Sequence, residues 1–191
     1  MNHATLWVMP ITDRVRFAGR SFDLVRIVGD SLFEPATHGI EVVTGLSPCP
    51  RGWYGVYALD GALILDRLHV RLTDDARPPR LDGVCPTRRQ RRTQRLVGNQ
   101  WQPGVWPTWD HAYRNLRRAL AFTGSLWLGT DRVRGFNARD EPLLAYRTVW
   151  DVMLDQGVLA AAIDRSGEVA GARAQRWATP HLPIARFDRQ H

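Results

Sequence analysis

Apolar residues recur at every second position along several stretches of the chain, a spacing that predicts β-strands with one buried face. Three of these stretches are interrupted by turn residues, at Ala18-Gly19, Asp60-Gly61 and Gln156-Gly157, so each is predicted to fold as a hairpin. Asp-Gly favours the positive φ angles of a type I′ turn. The alternation changes phase near Asp66, which predicts a β-bulge there or burial of both faces. Two further strands are predicted over 122–129 and, at a sheet edge, over 5–9.

One stretch shows helical spacing instead of alternation. Trp109, Tyr113, Leu116 and Leu120 follow one another at intervals of 4, 3 and 4, which places them on one side of an α-helix. Thr108 directly precedes this pattern and is a suitable N-cap. The sequence therefore predicts an amphipathic helix that begins near Trp109 and packs against the strands.

Residues 74–107 show neither spacing. They contain several prolines and an arginine cluster, and a loop of this length inside a compact domain is usually functional or disordered. The patterns together predict an α+β fold in a single domain, 1–191. Its expected form is a β-dominated, twisted antiparallel meander of hairpins, open or barrel-like, with one packed amphipathic helix and an irregular arginine-rich loop over 74–107.

The basic residues are the unusual part of the composition. Hydrophobic residues make up 44% of the 191 residues, enough for a substantial core, but all 26 basic residues are arginine and none is lysine. The formal net charge is +7, and residues 88–95 ("RRQRRTQR") contribute five positive charges without an acid. The positive charge is thus concentrated in one segment, which favours a localised contact over a uniformly basic surface.

The arginine run and two tryptophans that follow it are the candidate binding residues. Guanidinium groups bind phosphates and carboxylates through paired hydrogen bonds, and exposed tryptophans stack on unpaired bases. Three interpretations stay open: the segment binds nucleic acid, it binds an acidic protein surface, or it is a solvated loop. The sequence signatures of RNA-binding domains are missing. The candidates are Arg88, Arg89, Arg91, Arg92, Arg95, Trp101 and Trp106.

No catalytic, cofactor-binding or metal-ligating motif is found, since the chain lacks a P-loop and the GxGxxG, GxSxG and HExxH patterns. The leading prediction is therefore a non-enzymatic binding protein without cofactor or metal, and without catalytic residues. One alternative is an enzyme with a dispersed site, and another is a subunit of a larger assembly whose apolar sheet surface is covered by another chain. The dispersed site would use Arg26, His38, Glu41 and His69, or Arg26, Ser47 and Glu168 in the order found in ADP-ribosyltransferases.

The termini and cysteines predict a soluble cytoplasmic protein. The N-terminal residues lack the basic leader and apolar stretch of a signal peptide, and the longest uncharged runs are too short to cross a bilayer. Cys49 and Cys85 each precede a proline and are not at zinc-binding spacing, so they are expected to be buried free thiols.

Several stretches, 19–40, 51–72, 122–136 and 146–169, together resemble a family of uncharacterised bacterial proteins. The resemblance spans most of residues 14–175 and implies a stand-alone bacterial domain. In that family the segment matching 122–129 leads into a stretch that bears aromatic residues and histidine, whereas this chain has "VRGFNARDEP" there. The family has no established activity, so the resemblance implies no functional residue.

Overall fold

The computed structural model describes residues 12–45, 49–73, 77–97, 100–133 and 141–178; side chains at 89–97, 100–109 and 177–178 lie outside the description. These residues form nine β-strands, two short 3₁₀ turns (Pro35–His38 and Pro142–Ala145) and one α-helix. The elements are β1 (Arg14–Phe17), β2 (Arg20–Gly29), β3 (Trp53–Asp60), β4 (Ala62–Thr73), β5 (Thr87–Val97), β6 (Gln100–Ala119), β7 (Gly124–Arg132), β8 (Tyr146–Asp155), β9 (Val158–Asp164) and α1 (Ser166–Ala178).

The nine strands form one mixed sheet in the order β3-β1-β2-β7-β8-β9-β4-β6-β5. All neighbours are antiparallel except β1 and β3, which run parallel. β3 also pairs with β4, and β9 meets β4 at the single pair Ala62 and Val158, so the sheet curves back on itself but is not a closed barrel. The fold thus departs from the predicted antiparallel meander. The long connection from β1 to β3, which contains β2 and residues 30–52, allows those two strands to align in parallel.

The three predicted hairpins are confirmed, although their turns differ. Both central residues have positive φ at Ala18-Gly19 (47° and 74°) and at Gln156-Gly157 (48° and 80°), as a type I′ turn requires. At Asp60-Gly61 only Gly61 has positive φ (74°), so the type I′ prediction is wrong there; Asp60 is still part of β3 and pairs with Ala62. The bulge at Asp66 is confirmed, because Val56 pairs with Arg67 and the next residue, Tyr57, pairs with Leu65.

The helix predicted from Trp109 is wrong, because residues 100–119 form strand β6 between β4 and β5. Tyr113 and Leu116 are both buried, and their three-residue spacing arises from an interruption of the strand. Asn115 and Arg117 have positive φ (57° and 51°), and the pairing with β4 shifts register at this point. An interrupted strand therefore produced the spacing of a helical turn.

The α-helix of the structure lies at Ser166–Ala178, directly after β9. Among residues 166–176 of the helix, Val169 and Arg173 are buried, and α1 packs against β8 and the second 3₁₀ turn. The Asp164 carboxylate accepts a hydrogen bond from the backbone N–H of Ser166 (2.8 Å) and fixes the start of the helix. This bond and that of the Ser166 hydroxyl hold the pKa of Asp164 below its ordinary value.

The main hydrophobic core lies on the concave side of the curved sheet and is built from the alternating apolar positions of its strands. Tyr113 and Val15 are fully buried, and Trp53 is almost so. A second, smaller cluster between β8 and α1 contains Tyr146 and Val149. Further fully buried members of the main core are Leu63, Leu65, Leu68, Leu126 and Leu128.

Several other sequence predictions can be compared with the described residues. The prediction of an irregular loop over 74–107 is wrong for 87–97 and 100–107, because the backbone there forms β5 and β6. The strand predicted over 122–129 is confirmed as β7, whereas the one over 5–9 lies outside the described residues. Cys49 and Cys85 are both free, but only Cys49 is buried. Within the described chain, no helix has the length and apolarity needed to cross a membrane.

Candidate functional site

The predicted arginine run lies on β5, the last strand in the sheet order. β5 pairs with β6 on one side and with no described strand on the other, so it is an edge strand. Charged residues on an edge strand hinder unwanted pairing with another chain, which explains why a strand can carry such a sequence. The run is therefore part of the sheet.

The structure brings the backbone positions of the candidate binding residues together on the β5–β6 hairpin. Trp101 pairs with Leu96, and Trp106 lies in the register interruption opposite Arg91. Arg88 is exposed. The side chains of the other candidates, Arg89, Arg91, Arg92, Arg95, Trp101 and Trp106, lie outside the described residues.

A second group of arginines lies on the convex face of the sheet, where β1, β3, β4 and β6 are neighbours. Register aligns Arg14, Val56, Arg67 and Arg114 in one row across these four strands. Neighbouring strands are about 4.8 Å apart, so the row spans roughly 14 Å. Arg16 lies two residues beyond Arg14 on the same side of β1. We call the exposed residues Arg14, Arg16, Arg67 and Arg114 the basic face.

Two aromatic rings form the next row of the same face. Tyr54 pairs with His69, and their rings stack with centroids 4.4 Å apart and planes 4° from parallel. The row continues through Ala112 to Thr87, the first residue of β5. The basic face and the arginine-rich strand are thus parts of one continuous sheet surface.

A third row joins the buried Arg71 of β4, through Asp110 of β6, to Arg89 of β5. The Nε of Arg71 lies 3.9 Å from the Asp110 carboxylate, which makes Asp110 an acid within this basic surface. The Nε of Arg67 lies 3.3 Å from the carboxylate of Asp66, the preceding residue. Among the described residues, no carboxylate is within ion-pair distance of Arg14, Arg16 or Arg114.

The electrostatic effect of the basic face is visible at His69. Burial lowers the pKa of His69, and the nearby guanidinium groups of Arg114 and Arg67 lower it further. Burial also raises the pKa of Tyr54, with a smaller contribution in the same direction from Asp110. Both rings are therefore held in their neutral forms, which suits stacking.

The dispersed enzyme sites are not assembled in the described structure. His38 stacks on Phe33 with centroids 4.8 Å apart, whereas His69 stacks on Tyr54 in a different part of the fold. Glu41 and Arg26 are exposed. Of the ADP-ribosyltransferase-like trio, Glu168 is paired with Arg165 (2.7 Å) and Ser47 lies outside the described residues. The described part of the chain contains no group of three or more His, Cys, Asp or Glu residues that could hold a metal ion.

Sequence reasoning found the arginine run but missed the basic face. The signal for Arg14 and Arg16 was their alternation with buried Val15 and Phe17, which is visible in "RVRF". Arg114 lies within the segment that is wrongly predicted to be a helix. Comparison of the chain with protein-family models, curated proteins and solved structures found no match.

Proposed function

We propose that this protein is a non-enzymatic binding protein that engages a polyanion, single-stranded nucleic acid, through the basic face and the arginine-rich strand β5. The observation that carries the proposal is the register row of Arg14, Arg67 and Arg114, which ends on β6 two residues from Ala112, the partner of Thr87 at the start of β5. Of these three, Arg14 and Arg114 have no carboxylate of the described residues within ion-pair distance, so their guanidinium groups are available to bind phosphate oxygens bidentately, whereas Arg67 also contacts Asp66.

The stacked rings favour nucleic acid over an acidic protein surface. Tyr54 and His69 lie in the row next to that of Arg67 and Arg114. The same row reaches Thr87, the first residue of β5. Unpaired bases stack on aromatic side chains, with about 1–3 kcal/mol per base, whereas an acidic protein surface offers carboxylates without such planar groups. An alternation of cationic and aromatic groups on a sheet is the usual chemistry of single-strand recognition.

The competing interpretation is that the arginines only protect the sheet edge from strand pairing. This interpretation explains β5 but does not explain Arg14, Arg67 and Arg114, which lie on interior strands of the sheet. It predicts no binding at low salt, whereas phosphate contacts predict binding that weakens steeply with salt because counterions are released.

The test is a salt titration of fluorescence anisotropy with single-stranded and double-stranded oligonucleotides and with poly-glutamate. The basic-face variant is R14Q/R67Q/R114Q, and the β5 variant replaces the five arginines of 88–95 with glutamine. The matched control is R20Q/R147Q/R176Q, which removes the same charge as the basic-face variant from exposed sites elsewhere. We expect single-strand binding whose salt slope falls, in the first two variants, by about one for each phosphate-binding arginine that is replaced.

The outcomes separate the hypotheses. An equal decrease in affinity in the control variant would show that only net charge matters. Binding of poly-glutamate without oligonucleotide binding would identify an acidic protein as the partner. No binding of any probe at low salt would reject the proposed function.

The hypothesis of a subunit of a larger assembly has one observation in its favour. The β8–β9 hairpin exposes Met153, Val158 and Ile163, with exposed fractions of 38%, 57% and 37%. Exposed apolar residues on neighbouring strands are typical of surfaces that another chain covers. Light scattering of the purified protein, compared with a V158S variant, tests whether this hairpin mediates self-association.

A further inference from the structure

A cavity of about 360 Å³ lies on the opposite side of β3 from the basic face. Side chains alternate along a strand, so Trp53 and Tyr57 point to this side while Tyr54 points to the basic face. The volume is near the lower end of the roughly 300–1,000 Å³ that small-molecule sites occupy. The lining residues used in the argument are Asp13, Ile27, Phe33, Arg51, Trp53 and Tyr57.

One wall of the cavity is a fixed, electrically neutral pair, Asp13 and Arg51. The Asp13 carboxylate is 6% exposed, and its Oδ1 accepts hydrogen bonds from the Gly55 backbone N–H (2.5 Å) and from Nη2 of Arg51. The Arg51 guanidinium also donates from Nε to the Trp53 carbonyl oxygen (2.8 Å) and lies 3.8 Å from the Trp53 ring centroid. Oδ2 of Asp13 receives no hydrogen bond from the described residues and is left as an acceptor.

Tyr57 also lines this cavity and carries a hydrogen-bond donor. Its side chain is 1% exposed, and within the described structure its hydroxyl has no hydrogen-bond partner. A buried hydroxyl without a partner costs about 1–3 kcal/mol and is uncommon in folded proteins. Burial, followed by the Asp13 carboxylate, raises the pKa of Tyr57, so the hydroxyl stays protonated and able to donate.

The backbone makes specific room for this hydroxyl. A Cβ atom at Gly55 would lie 2.6 Å from the Tyr57 hydroxyl oxygen, closer than real Cβ contacts allow. The same Gly55 N–H binds Asp13. One glycine therefore positions both the acceptor and the donor of the cavity.

We propose that this cavity binds a small neutral molecule in which a carboxamide-like group is attached to an apolar body. The carbonyl oxygen of the ligand accepts from the Tyr57 hydroxyl, and its N–H donates to Oδ2 of Asp13. The apolar body packs against Ile27 and Phe33. A charged head group is disfavoured because Asp13 and Arg51 already neutralise each other, and Glu34, the other carboxylate of the lining, is exposed and offers a cation only a partner that solvent screens.

Three probes that share one phenyl body test the head-group chemistry: benzamide, benzoate and benzylamine. Each is titrated into the full-length ¹⁵N-labelled protein while the Gly55 amide and the Trp53 indole resonances are followed. We expect saturable binding of benzamide and at least about tenfold weaker binding of the anion and the cation. Tyr57→Phe should weaken benzamide binding about three- to tenfold, the worth of one hydrogen bond. Tyr54→Phe, on the other side of the strand, is the control and should leave benzamide binding unchanged.

Several results would overturn the proposal. These are shifts that rise without saturation for all three probes, equal affinity for the charged probes, or unchanged benzamide binding in a folded Tyr57→Phe protein. Tyr57→Phe removes one oxygen atom only, and its thermal unfolding is measured alongside to confirm that it folds. This site is independent of oligonucleotide binding, so either proposal can fail alone.

Discussion

The Nε–H of Arg173 in α1 donates to the carbonyl oxygen of Leu144, 2.7 Å away, and thereby ties the helix to the segment that precedes β8. Nη2 of the same guanidinium donates to the Tyr146 carbonyl oxygen. The Arg173 side chain is 8% exposed, so these bonds are formed largely out of water and count for more than a surface contact.

Arg173→Met should therefore lower the free energy of unfolding by about 2–3 kcal/mol. Methionine keeps the apolar stem but leaves two carbonyl oxygens without their charged donor. Urea denaturation measures the effect. The control is Arg176→Met. Arg176 is half exposed, and its ion pair with the Glu141 carboxylate is long, at 3.7 Å, so its loss should cost little. Equal denaturation midpoints for the two variants would contradict this role of Arg173.

Among the glycines whose surroundings the structure describes, Gly157 is the least able to accept a side chain. Its φ is +80°, and a Cβ atom there would lie 1.9 Å from the Leu120 carbonyl oxygen. Gly157→Ala should destabilise the protein by about 3 kcal/mol or more, since backbone strain and a clash with rigid backbone add together. Gly61→Ala is the matched control: φ is similar (+74°), but nothing lies within 4 Å. Its expected cost is about 1–2 kcal/mol. Thermal unfolding measures the stability of both variants. Equal destabilisation of the two would contradict the steric argument.

Asp13 should make stability depend on pH in the direction opposite to an ordinary surface carboxylate. Burial raises its pKa above the usual 3.8 and outweighs the opposing effects of Arg51 and the Gly55 N–H. Between pH 3.8 and the raised pKa, the folded state thus keeps a proton that the unfolded state releases; above the raised pKa, Asp13 is ionised in both states. Stability from this group is fully present below pH 3.8 and is lost as pH rises through the raised pKa.

Asp13→Asn removes this titration. The difference in unfolding free energy, wild type minus variant, should therefore fall as pH rises from about 3.8 and level off above the folded-state pKa. Urea denaturation at a series of pH values measures it. A difference that rises with pH would mean that the Arg51 ion pair dominates at this carboxylate.

His69 reports the potential of the basic face. Its pKa is lowered first by burial and then by Arg114 and Arg67, so the group favours the folded state when neutral. The stability it contributes is present above the ordinary pKa of 6.5 and is lost as pH falls toward the lowered value. Arg114→Gln should raise the pKa of His69, measured by NMR titration of the imidazole resonances, whereas Arg147→Gln on β8 should leave it unchanged. Bound oligonucleotide should also raise it, because phosphate stabilises the protonated ring.

The parts of the fold that depend on local residues could be predicted from the sequence. The turns at Ala18-Gly19 and Gln156-Gly157 and the bulge at Asp66 each follow from the conformational preferences and burial of a few neighbouring residues. The helix α1 could not be found in this way, because Gly167 and Gly171 weaken the helical propensity of its sequence. The available signal for the helix was Asp164, which precedes its first residue, together with Glu168 in its first turn.

The site was predicted only as far as it is continuous in sequence. The arginine run is visible as eight adjacent residues. Arg14, Arg67 and Arg114 become neighbours only through the pairing of β1, β3, β4 and β6, and that register is set by contacts between distant parts of the chain. The three-residue spacing of Tyr113 and Leu116 led to the wrong prediction of a helix for the same reason. Only the pairing with β4 and β5 shows that these residues belong to an interrupted strand.

The pairing of β2 with β7 has a consequence for synthesis of the chain. Asp23 pairs with Gly129, 106 residues later, so the N-terminal hairpin leaves the ribosome long before its partner exists. At a translation rate of about 5–20 residues per second, that delay is roughly 5–20 s. Throughout it, the apolar side of β2 and one unpaired strand edge are exposed. We therefore expect the nascent chain to be prone to association through this surface until β7 emerges.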